Sequence, residues 1–210
     1  MLNEGTDLLL YLLRHGESEG NVKRLLSSRL NDPPLSAVGR RQAERQAERL
    51  SAVTFSALYA SPLIRARQTA AIVGERCGLM PIVEEALAEV DVGLLDGESL
   101  NDPQNRQRYE LILADWGRGL SSVRFPGGES LDEVHQRLGG FLGKLKHASP
   151  GRVLLVGHSL LFAAAIWLYC ENHPSTFTAG HMGRGHLSVI AGRDERFRLV
   201  EFNHAPALQE

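Results

Sequence analysis

An arginine, a histidine and a glycine follow one another behind an apolar run near the start of the chain. Arg14, His15 and Gly16 come directly after Leu8 to Leu13, six apolar residues in succession. A continuous apolar run of this length is typical of a strand buried on both faces. Gly16 permits a sharp turn, so both side chains can project from the carboxyl end of the strand. The pair predicts a histidine that attacks or holds an anion, beside an arginine that neutralises the charge.

Two further short apolar strands are predicted to end in comparable residues. Ala57 to Ala60 is followed by Ser61-Pro62 and, one helical turn on, by Arg65. Val153 to Val156 is followed by Gly157-His158-Ser159. The carboxyl ends of parallel strands lie along one edge of an open α/β sheet, which is where ligands bind. The sequence therefore predicts that two histidines and two arginines meet at that edge.

A phosphoryl group is the anion that best matches two forked guanidinium groups beside helix N-termini. A neutral imidazole can attack phosphorus in line when a backbone carbonyl holds its other ring nitrogen as N–H. A carboxylic acid nearby protonates the departing alkoxide, and then acts as base for the water that hydrolyses the phosphohistidine. This scheme requires no metal and no cofactor, and the sequence contains no HxxxH-type motif.

The elements that must position these residues alternate between strands and helices. Ser36 is a predicted N-cap for a helix to about Leu50, and Pro62 suits the first turn of the next helix. Ser130 and Glu133 form a predicted capping box. Further elements are a strand at Arg152 to Val156, a buried helix at Leu160 to Cys170, and strands at Leu187 to Ile190 and Phe197 to Phe202. The alternation favours an α/β fold with a mostly parallel sheet and helices on both faces.

One long segment, residues 91–129, breaks this alternation. It is rich in Gly, Asp and Asn and contains a single amphipathic piece around Tyr109 to Trp116. An insertion of this kind in a compact domain is usually functional. We predict that it forms a lid.

Length, charge and cysteine content limit the class of protein. The 210 residues predict a single domain, 1–210, and the formal net charge of −2 argues against nucleic-acid binding. Cys77 and Cys170 are the only cysteines, too few for a disulfide framework. Met1 to Glu4 lacks a basic signal-peptide region, and Leu160 to Cys170 is too short to span a membrane. We therefore expect a cytoplasmic protein that acts on a small phosphorylated substrate.

Four motifs, in this order, resemble the histidine phosphatase superfamily, the phosphoglycerate-mutase-like proteins, in the branch that contains broad-specificity phosphatases. They are Leu13-Arg14-His15-Gly16-Glu17-Ser18, Asn21 six positions after His15, Ser61-Pro62-Leu63-Ile64-Arg65-Ala66 and Val156-Gly157-His158-Ser159. The resemblance extends from about Leu8 to Phe202. It implies a three-layer αβα sandwich.

The resemblance also assigns roles to individual residues. It implies that His15 is the phosphorylated nucleophile and that Glu89, within Leu87-Ala88-Glu89, is the proton donor. It implies that the phosphoryl group is bound by Arg14, Asn21, Arg65 and His158. We add Ser159, which follows His158, to the expected substrate-binding residues. The sequence departs from the family pattern at Gly20, Ser27-Ser28 and Leu95, positions that border the substrate rather than the phosphoryl group.

Simpler roles exist for several of these residues. Asn21 is also a common turn former, and Arg65 also fits a solvated helix face. Glu89 has acidic neighbours that fit the same role, namely Glu84, Glu85, Asp91, Asp96 and Glu98. The roles of His181, His186 and His204 stay open, although any of them fits the mouth of a pocket.

Three other functions, a serine hydrolase, a non-catalytic phospho-ligand binder and a phosphoglycerate mutase, fit the sequence less well than a phosphomonoesterase. A serine-hydrolase elbow around Ser159 lacks the required glycine, since Leu161 occupies that position. A non-catalytic phospho-ligand binder does not need the full set of catalytic residues. A phosphoglycerate mutase must bind a second anionic group of its substrate. The arginines of the insertion are scattered among glycines and acidic residues, which argues against such a binding site there. We therefore prefer a phosphomonoesterase, with the mutase as the alternative. The natural substrate and the oligomeric state are left open.

Overall fold

The computed structural model describes residues 8–148, 151–193 and 196–205, so the expectation for Met1 to Glu4 lies outside the described residues. Its strands are β1 (Leu8–Arg14), β2 (Ala57–Ala60), β3 (Ile82–Val83), β4 (Gly151–Gly157), β5 (Leu187–Arg193) and β6 (Arg196–His204). Its helices are α1 (Glu19–Val22), α2 (Ala37–Leu50), α3 (Ile64–Cys77), α4 (Pro103–Gly117), α5 (Leu131–Ala148) and α6 (Ser159–Tyr169). Short 3₁₀ turns lie at Glu85–Leu87, Gly93–Leu95 and Phe177–Gly180.

The strands form one sheet in the order β3-β2-β4-β1-β5-β6. The first four of these are mutually parallel, whereas β5 and β6 are antiparallel to their neighbours. The prediction of a mostly parallel sheet is therefore confirmed. The antiparallel pair at one edge follows from the short connection between β5 and β6, because a parallel neighbour would need a long crossover.

Strand β1 separates two apolar cores, because its side chains alternate between the faces of the sheet. Leu10 and Leu12 belong to the core formed with α5 and α6. Leu13 belongs to the core formed with α2 and α3. Both faces are thus covered by helices, and the predicted three-layer αβα sandwich is confirmed. This double burial explains why β1 is apolar at every position from Leu8 to Leu13.

The predicted helix starts are confirmed at two of three positions. The Ser36 hydroxyl accepts the Gly39 N–H at 3.1 Å, and Ser130 and Glu133 form a reciprocal capping box. Pro62 is the exception, because α3 begins at Ile64 and its N-cap is Leu63. The Ser61 hydroxyl accepts the Leu63 N–H at 3.2 Å, which holds this connection in an extended turn that delays the helix.

Within the insertion, the predicted amphipathic piece extends in both directions to become α4. Asp102 caps this helix by accepting the N–H groups of Gln104 and Asn105. Trp116 is fully buried and donates from its indole to the Val123 carbonyl at 2.7 Å. Trp116 is thus a core residue. No helix within the described ranges combines the length and hydropathy needed to cross a membrane.

Candidate active site

The pairing of β1 with β4 brings the two predicted histidines together. The parallel register places Arg14 opposite Gly157, so His15 and His158 follow neighbouring strand ends. The His15 N–H donates to the Gly157 carbonyl at 3.0 Å. The two imidazole rings lie with their centroids 5.0 Å apart. The expected convergence at the carboxyl edge of the sheet is therefore present.

The His15 ring is held in one tautomer. Its Nδ1 lies 2.6 Å from the Gly16 carbonyl, so Nδ1 carries the proton and donates it there. The pKa of His15 is well below its usual 6.5, first because the ring is buried and then because Arg65 and Arg14 are cationic. The imidazole is therefore neutral, and Nε2 carries an unprotonated lone pair.

Arg65 approaches that lone pair directly. Its Nε–H donates to His15 Nε2 at 3.2 Å, and the side chain is almost fully buried. One Nη donates to the Asp32 carboxylate at 3.1 Å, and the other donates to the Ser27 carbonyl at 2.8 Å. Three anchors therefore fix the plane of the guanidinium beside the nucleophilic nitrogen.

His158 lies behind His15 and is completely buried. Its Nε2 is 2.7 Å from the Ser61 hydroxyl, which already accepts the Leu63 N–H. The two atoms share a hydrogen bond whose direction is set by the tautomer of the ring. Burial, with Arg65 as the next cause, lowers the pKa of His158 well below 6.5.

Arg14, the last residue of β1, lines the same cavity as His15. One of its Nη groups donates to the Met182 carbonyl. Burial lowers the pKa of Arg14 to about 10, although Glu89 opposes this shift. The guanidinium stays charged at neutral pH.

Glu89 is held at the N-terminus of α6. One carboxylate oxygen accepts the N–H groups of Val90 (2.9 Å) and Leu161 (2.8 Å), and the other accepts Leu160 at 3.3 Å. Three backbone N–H groups thus fix the orientation of this side chain. Among the acidic residues that the sequence offered for this place, Glu89 is the one that lines the cleft.

These groups surround a cavity of about 330 Å³, which we call the central cleft. Arg14, His15, Asn21, Arg65, Glu89 and Ser159 all line it. His158 does not line it but supports His15 from behind. Asn21 also serves as a turn former, because its side chain accepts the Ser18 N–H at 3.1 Å.

Several buried polar atoms around the cleft have no hydrogen-bond partner. Within the described ranges these include Arg14 Nε, His158 Nδ1 and His181 Nε2. Buried polar groups are otherwise almost always satisfied, and an exception needs an explanation. Arg14 Nε carries a donor N–H and belongs to a residue that lines the cleft, so an anion bound there would satisfy it.

Arg24, Tyr109 and Arg184 also line the cavity, although the sequence assigned them no binding role. His181, one of three histidines that fit the mouth of a pocket, lines it too. His181 Nδ1 lies 3.2 Å from the Ser159 hydroxyl, and burial lowers the pKa of His181 to about 4. The position of His181 in the sequence did not indicate that it lies near the four motifs, because it belongs to the connection between α6 and β5, which reaches the cleft only in the folded chain.

The remaining two open histidines lie elsewhere. His186 Nδ1 contacts the backbone and side-chain oxygens of Asn203, at 3.0 and 2.8 Å. His204 ends β6 and is exposed. Neither lines the central cleft.

The loop that carries His15 packs against α2 without side chains between the backbones. A Cβ at Gly16 would lie 2.2 Å from the Gly39 carbonyl oxygen, and one at Gly39 would lie 1.9 Å from the Glu17 carbonyl oxygen. Only glycine permits this approach. Two glycines thus fix the backbone around the nucleophile candidate.

Among the described residues, no three His, Cys, Asp or Glu side chains lie close enough together to hold a metal ion. The arrangement is instead a cationic cleft with a neutral imidazole at its base and a carboxylate on its wall.

The chain is similar to known proteins in sequence and in fold. The chain is 33% identical over 163 residues to a probable phosphoglycerate mutase GpmB of Cronobacter sakazakii, covering 76% of this chain and 73% of the relative. A solved mycobacterial glucosyl-3-phosphoglycerate phosphatase is 29% identical, with a TM-score of 0.81 over 94% of this chain and 99% of that one. An α-ribazole phosphatase from Shigella flexneri is 25% identical, with a TM-score of 0.76 over 96% of this chain and 100% of that one. A model of the histidine phosphatase superfamily (branch 1) matches residues 10–205. The chain belongs to this superfamily.

Proposed function

We propose that this protein is a metal-independent phosphomonoesterase that acts on a small phosphorylated metabolite through a phosphohistidine on His15. The observation that carries the proposal is the state of the His15 ring. Its Nδ1–H is bound to the Gly16 carbonyl at 2.6 Å, and its Nε2 lone pair faces the Arg65 guanidinium. A nucleophilic nitrogen is thus placed where an anionic phosphoryl group is attracted.

In the first step, His15 Nε2 attacks phosphorus and the bond to the ester oxygen breaks. Arg65 and Arg14 neutralise the equatorial oxygens. The Arg65 Nε–H, which donates to His15 Nε2 in the free enzyme, donates instead to a phosphoryl oxygen, and Arg65 keeps its proton. His158, whose ring centroid lies 5.0 Å from that of His15, positions the nucleophile. Glu89 gives its proton to the departing alkoxide, which leaves as a neutral alcohol.

In the second step, water attacks the phosphorus of the phosphohistidine. Glu89 takes a proton from that water, the N–P bond breaks, and inorganic phosphate leaves. His15 returns to its neutral form, because Nδ1 keeps its proton throughout. The same carboxyl group therefore serves as acid and then as base.

Transfer to water, rather than to a second hydroxyl, is supported by the insertion. Arg118 binds Asp115 and Arg124 pairs with Glu133, so both arginines are engaged away from the cleft. Arg106 donates to the Leu100 carbonyl. The similarity to solved phosphatases along nearly the whole chain also supports hydrolysis.

Phosphoglycerate mutase is the second candidate, since curated relatives at about 33% identity carry that name. The two reactions share the phosphohistidine and differ in its acceptor. We also propose that residues 91–129 act as a lid, since Val92, Leu100 and Tyr109 of this segment line the cleft.

The test is hydrolysis of p-nitrophenyl phosphate by the wild type, His15→Ala and His147→Ala, each with EDTA. The wild type and His147→Ala, altered at an exposed helix position, should release phosphate equally, and His15→Ala should be inactive. Acid-labile, alkali-stable phosphate should be trapped on the wild type and be absent from His15→Ala. Activity that requires added metal, or that survives in His15→Ala, would overturn the proposal. Conversion of 3-phosphoglycerate to its 2-isomer without phosphate release would favour the mutase.

A further inference from the structure

A second cavity, which we call the side groove, lies beside the central cleft. Its volume is about 360 Å³, enough for a small polar group and its solvent. The two cavities share a wall made by Arg24, Leu100, Tyr109 and His181. The same four residues therefore border the cleft that holds His15 and the groove beside it.

Arg24 in this wall has an unusual backbone. Its φ is +56°, in the left-handed region that residues other than glycine rarely adopt. The conformation is fixed on both sides, because the Arg24 N–H donates to the Asn21 carbonyl at 3.1 Å and the Leu100 N–H donates to the Arg24 carbonyl at 3.0 Å. Arg24 is the left-handed residue that ends α1, and the Leu25 N–H donates to the Gly20 carbonyl at 2.9 Å in the same turn. This turn fixes the backbone of Arg24 relative to Asn21, a residue of the central cleft.

The charges of the central cleft exceed what one phosphoryl group needs. The described lining residues include four arginines and only one carboxylate, Glu89. Arg14 and Arg65 flank the nucleophile, and Arg184 pairs with Glu17 at 3.3 Å. In the part of the chain that the structure describes, the Arg24 guanidinium has neither a hydrogen bond nor an ion pair. Among the described arginines that line the cleft, Arg24 is thus the one that has neither a partner nor a role in the proposed transfer of the phosphoryl group.

We propose that Arg24 binds a second anionic group, a carboxylate or a further phosphate, on the alcohol part of the substrate. The inference rests on the proposed phosphatase function and narrows its substrate class. A guanidinium binds either anion through two parallel N–H donors, so both belong to the same chemistry. Arg24 is a specificity-determining residue in this scheme, and it takes no part in the transfer of the phosphoryl group.

The test uses two pairs of substrates that differ only in the second anion. Glycerol 3-phosphate and 3-phosphoglycerate differ in a hydroxymethyl group against a carboxylate. Fructose 1-phosphate and fructose 1,6-bisphosphate differ in a hydroxyl against a phosphate. Values of kcat/KM for phosphate release give a preference ratio for each pair, and the pair with the larger ratio identifies the kind of anion.

The wild type should prefer the charged member of one pair by about tenfold or more, the range expected for a charge-assisted hydrogen bond. Arg24→Gln should reduce that ratio about tenfold. Arg24→Asn should do the same, and it suits the left-handed backbone better, which guards against a folding defect. Arg108→Gln is the matched control, because Arg108 is exposed on α4 and lines neither cavity.

A wild type without preference in either pair, or a ratio unchanged in both Arg24 variants, would overturn the inference while leaving the phosphatase in place. A wild type that releases no phosphate even from p-nitrophenyl phosphate would instead overturn the proposed function, and the inference with it.

Discussion

The Nε–H of Arg65 points at Nε2 of His15 across 3.2 Å. A cation and a neutral imidazole share this hydrogen bond inside a buried cluster, where a proton on Nε2 would meet the guanidinium at close range. The contact therefore keeps the imidazole unprotonated and holds the ring in a fixed orientation at the cleft. Substitutions at Arg65 should affect catalysis through this geometry as well as through charge.

Replacing Arg65 by lysine keeps the charge but removes the planar fork that reaches His15, Asp32 and Ser27 together. We expect kcat/KM for p-nitrophenyl phosphate to fall about 100- to 1000-fold, as when one preorganised donor is lost. Arg67→Lys, on the exposed face of the same helix, should match the wild type. Steady-state kinetics with a thermal melt of each variant would check this, and a loss below tenfold would contradict the role.

Replacing Glu89 by glutamine should have an effect that depends on the leaving group. An alkoxide needs a proton as it departs, whereas p-nitrophenolate is stable without one. We expect about a 100- to 10,000-fold loss of kcat for an alkyl phosphate and a much smaller loss of the phosphorylation rate for p-nitrophenyl phosphate. Glu85→Gln, altered at an exposed neighbour, is the control. Equal losses on both substrates would argue against a proton donor.

The stability of the protein should decrease in acid because of its buried neutral histidines. Burial lowers the pKa of His181 to about 4, so below pH 6.5 the unfolded chain binds a proton that the folded chain does not. Stability contributed by this group is therefore complete above pH 6.5 and is lost as the pH falls toward 4. The slope is at most about 1.4 kcal/mol per pH unit.

Urea unfolding at several pH values between 7 and 4.5 measures this slope directly. His181→Asn should flatten the pH dependence, whereas His147→Asn, at an exposed position, should leave it as in the wild type. Identical slopes in the wild type and His181→Asn would show that the ring is not neutral in the folded protein.

Asp96 should influence catalysis without lining the cleft. Its carboxylate accepts four backbone N–H groups, from Ser28, Arg29, Leu30 and Asn31, at 2.6 to 3.4 Å. Partial burial opposes ionisation, but these hydrogen bonds prevail and hold the pKa of Asp96 below its usual range. The same loop presents Ser27 and Asp32 to Arg65, so Asp96 positions that arginine through the loop.

Asp96→Asn replaces an acceptor of four N–H groups by an amide that also brings its own donors. We expect kcat to fall by about tenfold or more, since small displacements of positioning groups cost up to a hundredfold. KM for p-nitrophenyl phosphate should change less than kcat. The control is Glu98→Gln, on the exposed side of the same segment. An unchanged kcat would contradict the positioning role.

The sequence predicted the sheet and the core of the site well because both depend on local patterns. The unbroken apolar run of β1 indicated a strand buried on both faces, and the glycine and histidines behind β1 and β4 indicated its functional edge. The prediction that Pro62 lies in the first turn of α3 is wrong, because the sequence does not distinguish a turn held by Ser61 from a helix start.

Contacts between distant segments were beyond such patterns. Nothing in the sequence around Asp96 indicated that it holds the loop after Ser27, and Asp32 gave no sign of reaching Arg65. Arg24 resembled any solvated arginine, since its left-handed backbone depends on a hydrogen bond from Leu100. These positions depend on tertiary packing, which the pattern of apolar and polar residues along the sequence does not predict.

The register that sets Arg14 opposite Gly157 has a wider consequence. His15 and His158 directly follow two paired strands in the middle of the sheet. The mouth of the cleft, in contrast, is formed by segments outside the sheet. Exchanging those outer segments would change which molecule is admitted without moving the imidazoles. The architecture therefore suits redesign. Different outer segments can be combined with the same sheet and histidines, and each combination would select a different substrate.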